Sequence, residues 1–277
     1  MRFVLRQVEV PILPQGAEVL RVLHFSDLHL TPNRMKTVNF IKSWADLKPD
    51  LIISTGDHIA HQDSIPVLLQ ALTPLQGIPS FYVFGSNDYF APSFKNPLRY
   101  LLPDRGKRIH GPALPWGSLD RGLDKLGWTK LHDAKVTISL KGTSIELRGT
   151  DDAHLERDRY ETVAGPRQSV DISIGVTHAP YLRIISAMAI DNLDLILAGH
   201  THGGQIRIPW LGGTRSLTTN CDLPNWRSRG LTKVQGEPFL HVSAGLGHNP
   251  KTPFRFLSPP ECTLLTLISR GTTQAKS

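Results

Sequence analysis

The chain has 277 residues, of which 40% are hydrophobic and 20% charged, a balance that suits a folded protein with a sizeable core and argues against long disordered tracts. Its net charge of +7 favours polyanionic partners: phosphate esters, nucleic acid or an anionic membrane surface. Two cysteines, Cys221 and Cys262, show neither C-x-x-C spacing nor a disulfide framework; they fit a reducing compartment, with a single pairing between them left open.

Residues 1–18 read as an irregular lead-in or an edge strand, because Pro11 and Pro14 interrupt regular pairing. Arg6, Gln7 and Glu9 break any secretory h-region, and no run approaches the roughly 20 apolar residues of a membrane span. The expected location is cytoplasmic, with peripheral membrane contact left open. Val19 to Phe25 is an apolar strand that runs into Asp27-Leu28-His29. Thr31-Pro32 has the chemistry of a helix start, and the helix should end near Lys48-Pro49. A second strand, Leu51 to Ser54, runs into Gly56-Asp57-His58, and a helix is expected over 64–76. A third, Ser80 to Phe84, runs into Gly85-Ser86-Asn87-Asp88.

Residues 89–117 change character. Five prolines rule out a long regular element, while Lys95, Arg99, Arg105, Lys107 and Arg108 stand among Phe90, Phe94, Tyr100 and Trp116. The segment reads either as a basic cap beside a site or as a solvated surface excursion. A short helix is expected over 118–127, then a hairpin of strands near 136–140 and 144–148 turning at Lys141-Gly142-Thr143. Gly149-Thr150-Asp151-Asp152 reads as an Asp-rich turn rather than as a pair of acids in contact with the site. A strand over 171–176 runs into His178, and a helix over 181–190 leads to the buried run Leu193 to Ala198. That run ends in Gly199-His200-Thr201-His202-Gly203-Gly204-Gln205. Residues 206–236 are loop-rich, and 239–243 and 263–268 are the last strands. No repeat or linker is visible, so 1–277 reads as one domain with an insertion at about 89–117.

Polar residues thus follow strand after strand. In α/β sheets ligands bind outside the carboxyl ends of strands, so the pattern predicts one site assembled from several of them. Its members are Asp27, His29, Asp57, Asn87, His178, His200 and His202. Carboxylate, amide oxygen and imidazole together suit Mn²⁺, Fe²⁺ or Zn²⁺, and the lack of cysteine argues against a closed structural zinc site. Seven ligands exceed one metal and fit two that share a carboxylate.

The order D-x-H, G-D, N, H, G-H-x-H resembles that of the calcineurin-like metallophosphoesterases. The longer run from Gly199 to Gln205, with Thr177-His178-Ala179-Pro180 before it, is similar to a bacterial branch holding phosphodiesterase-like enzymes and relatives acting on lipid-linked substrates such as UDP-diacylglucosamine. The resemblance implies an α/β (α+β) fold, a four-layer sandwich of two mixed β-sheets flanked by helices. It implies that Asp27, His29 and His202 hold one divalent ion, that Asn87, His178 and His200 hold the other, and that Asp57 bridges them. Manganese is the first expectation, iron or zinc the others. Hydrolysis of a phosphodiester or pyrophosphate-type bond by a hydroxide bridging the two ions follows, with Asp57, Asn87, Asp88 and His200 as the catalytic group. A nuclease, a phosphomonoesterase and an inactive metal-binding scaffold are the alternatives. No nucleic-acid module is recognisable.

Two departures stand out. The family pattern G-N-H is met by Ser86-Asn87-Asp88, with Ser86 in the glycine place and Asp88 in that of the histidine near the leaving group. Asp88 could then donate a proton only with a raised pKa. Second, Gly56-Asp57-His58-Ile59-Ala60 lacks a further acid often seen there. His58 and His61 read as local loop residues.

Overall fold

The strands that precede the polar motifs carry apolar side chains on both faces, and both faces are covered. A computed structural model describes residues 2–93, 110–210, 213–233, 236, 238–250 and 254–271. One six-stranded sheet has the order β1 (Val4–Leu13), β14 (Glu261–Ser269), β2 (Leu20–Phe25), β3 (Leu51–Ser54), β4 (Ser80–Tyr82), β5 (Trp128–Lys130). The other has the order β12 (Gly230–Thr232), β13 (Phe239–Val242), β9 (Leu195–Ala198), β8 (Ile172–Val176), β7 (Thr143–Gly149), β6 (Ala134–Leu140). Both sheets are mixed. Strands β2 to β5 run parallel, as do β7, β8, β9 and β13, while β14, β6 and β12 enter antiparallel pairs.

Strand side chains alternate between faces. Val22, Leu51, Ile53, Phe81, Val83 and Leu265 of the first sheet meet Ile145, Leu147, Ile174, Val176, Leu195 and Leu197 of the second. The alternate residues, Leu23, Phe25, Ile52 and Tyr82, pack under Val38 and Ile41 of α1 (Met35–Lys42), Leu68 and Leu72 of α2 (Ser64–Leu72), and Leu119 and Leu123 of α4 (Trp116–Lys125). On the far side Ile196, Ala198, Leu240 and Val242 lie under Ile184, Ile185 and Met188 of α5 (Leu182–Ile190). This is the expected sandwich of two mixed sheets flanked by helices. No helix among the described residues is long and apolar enough to cross a membrane.

Several boundaries move for physical reasons. Residues 4–13 form an edge strand, and the register slips between Pro11 and Leu13, where Pro11 has no N–H to give. The helix expected at Thr31-Pro32 starts at Met35, because those residues form the turn whose Thr31 carbonyl accepts the Arg34 N–H at 3.1 Å. The hairpin turn at Lys141-Gly142 has positive φ at both residues, 48° and 76°, matching the twist of its strands. Within the loop-rich 206–236 lies a two-stranded hairpin, β10 (Arg207–Trp210) with β11 (Gly213–Ser216). Most of the basic cap reading, including Phe94, Lys95, Arg99, Tyr100, Arg105, Lys107 and Arg108, falls outside the described residues.

One buried polar pair crosses the apolar layer. His24 on β2 and His241 on β13 approach Nδ1 to Nδ1 at 2.8 Å, so one ring donates and the other accepts. His24 Nε2 also meets Thr55 Oγ1 at 3.0 Å. Burial holds both rings neutral, His241 down to about 3 and His24 well below the ordinary value, with the facing His241 adding to the latter. The unfolded chain takes up protons at both below about pH 6.5 and the folded chain does not. Their contribution is therefore complete above that pH and is lost on acidification, at up to about 1.4 kcal/mol per pH unit for each ring. Urea unfolding at pH 7 and pH 5 should show a larger loss for the wild type than for His24→Leu/His241→Phe. Equal losses would contradict this.

Candidate metal centre

The carboxyl ends of β2, β3, β4, β8 and β9 open on one edge of the sandwich, and the motifs that follow them converge there. His29 Nε2 lies 3.2 Å from His202 Nε2 and 3.4 Å from Asp57 Oδ2. Asp27 Oδ1 is 3.9 Å from His29 Nε2 and 3.6 Å from His202 Nε2. Next to this group, His178 Nε2 is 3.6 Å from Asp57 Oδ1 and 3.3 Å from His200 Nδ1. Asp57 therefore turns one oxygen to each cluster. Asn87 reaches the same carboxylate twice, its backbone N–H donating to Oδ1 and its side-chain amide to Oδ2, both at 2.7 Å. All seven residues singled out in the sequence are thus brought together.

The backbone is bent to do this. Asp27, His29, Asp57, His200 and His202 all adopt positive φ, between 39° and 69°, a region costly to residues with a Cβ. Gly199 lets the last loop pass: a Cβ there would stand 2.8 Å from Asp27 Oδ2. The remaining hydrogen bonds orient the rings. The Thr55 carbonyl lies 2.6 Å from His178 Nδ1 and accepts its N–H, which turns Nε2 toward the site. The Asn220 carbonyl does the same for His200 Nε2 at 3.2 Å, which leaves Nδ1 facing the site. Asp27 Oδ2 accepts from Ser26 Oγ at 2.5 Å and from the His200 N–H at 3.0 Å.

Asp27 Oδ1 and His29 Nδ1 are buried with no hydrogen-bond partner among the described residues. A buried carboxylate oxygen left unpaired is costly, and a cation between Asp27, His29 and His202 would satisfy it. A second cation fits among Asp27, Asp57 and His178, with His200 Nδ1 3.3 Å from His178 Nε2, and the carboxylate–imidazole donor set suits such ions. Electrostatics agree. Burial pushes Asp27 up to about 6, against the pull of His178, and pushes His29 down to about 4. Burial would likewise raise Asp57, but His178, His29 and the Asn87 hydrogen bonds outweigh it and hold the carboxyl low. Burial disfavours a proton on His178, yet Asp57, Asp152 and Asp27 carry it up to about 9. The acids here favour positive charge strongly enough to overcome burial.

Asp88 corrects the sequence reading. It is fully buried, and its carboxylate accepts the N–H groups of Asp57 (2.9 Å), His58 (2.7 Å), Ile59 (3.3 Å) and Gly85 (3.0 Å), with His58 Nδ1 at 3.0 Å. An acid held this way ties two loops together and has no path to a leaving group. The register of the pattern shifts with it. A Cβ on Gly85 would stand 2.3 Å from Asp57 Oδ1 and 2.5 Å from His178 Cε1, so Gly85, not Ser86, takes the glycine place. Ser86 then stands at the amide position and Asn87 at the histidine position, both on α3 (Ser86–Tyr89).

Two residues escaped the sequence reading, and a third, Asp152, was read there as part of a turn. His154 lines the same pocket, its ring 4.6 Å from that of His200 and its Nδ1 3.0 Å from the Tyr181 hydroxyl. Asp152, which caps the turn at His154, is buried and raised by that burial to about 7. The Asp-rich turn was visible, and its position after β7 was the available signal. Arg255, with Nη2 3.1 Å from His202 Nδ1, comes from a distant loop and left no signal.

Imidazoles and carboxylates gathered in two adjoining clusters at the ends of a two-sheet sandwich define a metal-dependent phosphoesterase. The description of the calcineurin-like phosphoesterases matches residues 20–204, and the chain belongs to that family of phosphoric ester hydrolases, which depend on two metal ions. It is 28% identical to the uncharacterized metallophosphoesterase YkuE of Bacillus subtilis, over 95% of this chain and 84% of that one. It is 30% identical to YkoQ of the same organism, over 88% and 82% of the two chains. It is 26% identical to the phosphodiesterase YaeI of Escherichia coli, over 91% and 84%.

Proposed function

We propose that this chain hydrolyses phosphodiester or pyrophosphate-type bonds of a bulky anionic substrate that carries an apolar portion, lipid-linked substrates being one such class. The observation that carries the reading is the convergence of Asp27, His29 and His202 on one side of Asp57 and of His178 and His200 on the other. Asp27, His29 and His202 would hold one divalent ion. His178 and His200 would hold the second, with Asp57 between the two ions, while Asn87, at the histidine position, holds the Asp57 carboxylate. Manganese suits this mixed oxygen and nitrogen set, with iron or zinc as the other candidates. When bound, two such ions draw charge from the phosphoryl oxygens and activate the attacking water.

The chain's own groups do the rest. The Thr55 and Asn220 carbonyls keep the tautomers of His178 and His200 fit for ligation. Asn87 steadies both oxygens of Asp57. Asp88 holds the loops of Asp57 and Asn87 in register and supplies no proton, which favours a leaving group that departs as an anion, such as a phosphate or an aryloxide. The pocket of about 340 Å³ over the ligands has an apolar wall of Phe90, Ala91, Pro92, Ile206, Leu217 and Phe254, which supports a substrate with an apolar part. The name of the Escherichia coli relative supports the diester half of the reading.

The test strips the protein with a chelator, restores Mn²⁺, and compares bis(p-nitrophenyl) phosphate with p-nitrophenyl phosphate. The diester should have a kcat/KM higher by about tenfold or more. A faster monoester would make the chain a phosphomonoesterase. Two bound metals with neither ester turned over would favour the scaffold alternative.

A further inference from the structure

The hairpin β10–β11 and the loop at 254–257 expose large side chains that the fold does not use. Trp210 is 54%, Phe254 70% and Phe256 57% exposed. On β10 the odd residue Arg207 is buried, its guanidinium donating to the Gly203 carbonyl, Ser228 Oγ and Thr214, which pins the base of the hairpin. Strand alternation then sends Ile206, Ile208 and Trp210 outward on the opposite face. Ile206 pairs with Phe256, so hairpin and loop form one continuous surface. Ile206 and Phe254 also line the pocket over the metal ligands. The apolar surface therefore begins at the mouth of the site.

Its charge has one sign. There is no acidic residue between Asp194 and Asp222, nor between Glu237 and Glu261, and of the arginines in those stretches Arg215 is exposed, Arg255 half-buried and Arg207 buried. The exposed Arg215 stands over the Trp210 ring at 5.2 Å. Exposed aromatic side chains flanked by arginine, with no acid to repel a phosphate, match the interfacial layer of an anionic bilayer, where indole rings sit among headgroups and arginine stems lie along apolar surface. A second copy of the chain fits less well, since two-fold pairing of this face would set Arg215 against like charge.

We propose that the β10–β11 hairpin and the 254–257 loop dock this protein on an anionic lipid bilayer, setting the mouth of the metal pocket at the headgroup layer. The inference deepens the reading of a substrate with an apolar part and rests on it for its purpose, but its test needs no turnover. Full-length protein is floated with phosphatidylcholine vesicles, with or without phosphatidylglycerol, alongside Trp210→Ser/Phe256→Ser. The wild type should bind the phosphatidylglycerol vesicles about tenfold or more better than phosphatidylcholine alone, and the double variant should lose that binding. The variant should keep wild-type hydrolysis of the soluble diester; if the chain turns over neither ester, an unchanged far-UV circular dichroism spectrum and thermal midpoint report its fold instead. No vesicle binding, or equal binding by the variant, would overturn the proposal. So would a wild-type dimer that the double variant converts to monomer, since the face would then belong to a protein contact.

Discussion

Asp57→Asn should lower turnover of a phosphodiester by about a thousandfold while leaving the fold intact. Asp57 faces both clusters, with Oδ2 3.4 Å from His29 and Oδ1 3.6 Å from His178. An amide keeps the shape and keeps an acceptor for the Asn87 N–H, but it removes the charge that two cations would share. It also removes the first of the acids that sustain a charge on His178 against burial. The variant should show an unchanged circular dichroism spectrum and a large fall in kcat at saturating Mn²⁺. More than a tenth of wild-type activity under those conditions would remove Asp57 from its bridging role.

Arg148→Ala should cost about 3–5 kcal/mol of stability, the largest single loss expected outside the apolar core. Arg148 is fully buried on β7, with Glu146 Oε1 2.6 Å from Nη2, and with Asp191 Oδ2 and the Gly165 carbonyl each 2.8 Å from Nη1. Those two acids also hold the loop after β7: Asp191 accepts from the Tyr160 hydroxyl and the Gly165 N–H, and Glu146 from the Gln168 N–H. Truncation leaves two carboxylates buried without their cation. Urea unfolding measures the loss, and Glu146→Gln/Asp191→Asn in the same background should recover part of it by removing the stranded charges. A loss under about 1 kcal/mol would mean that water reaches the acids easily.

How much of this was legible in the sequence depends on the range of the forces involved. The sheets and the seven clustered residues were readable because each ligand directly follows an apolar run, and a strand end is a local feature. The Lys141-Gly142 turn was readable for the same reason. Asp88 was misread because its role depends on backbone N–H groups of residues 57–59, roughly thirty positions away in the chain. The register of Gly85 and Ser86 was misread because only close approach to Asp57 and His178 decides which residue must lack a Cβ. Arg255 joins the site from a distant loop, and the Arg148 cluster and the His24–His241 pair exist only once distant strands have met. The β10–β11 hairpin was hidden by its glycines and its short strands.

The central claim is that these residues hold two metal ions, and counting them is the most direct test. The protein, equilibrated with Mn²⁺ and freed of excess, is measured by elemental analysis beside His178→Ala and His202→Ala, which each remove a ligand from a different cluster. The account predicts two manganese ions per chain for the wild type and about one for each variant. A wild-type chain that retains none, or variants that retain the full wild-type complement, would contradict it.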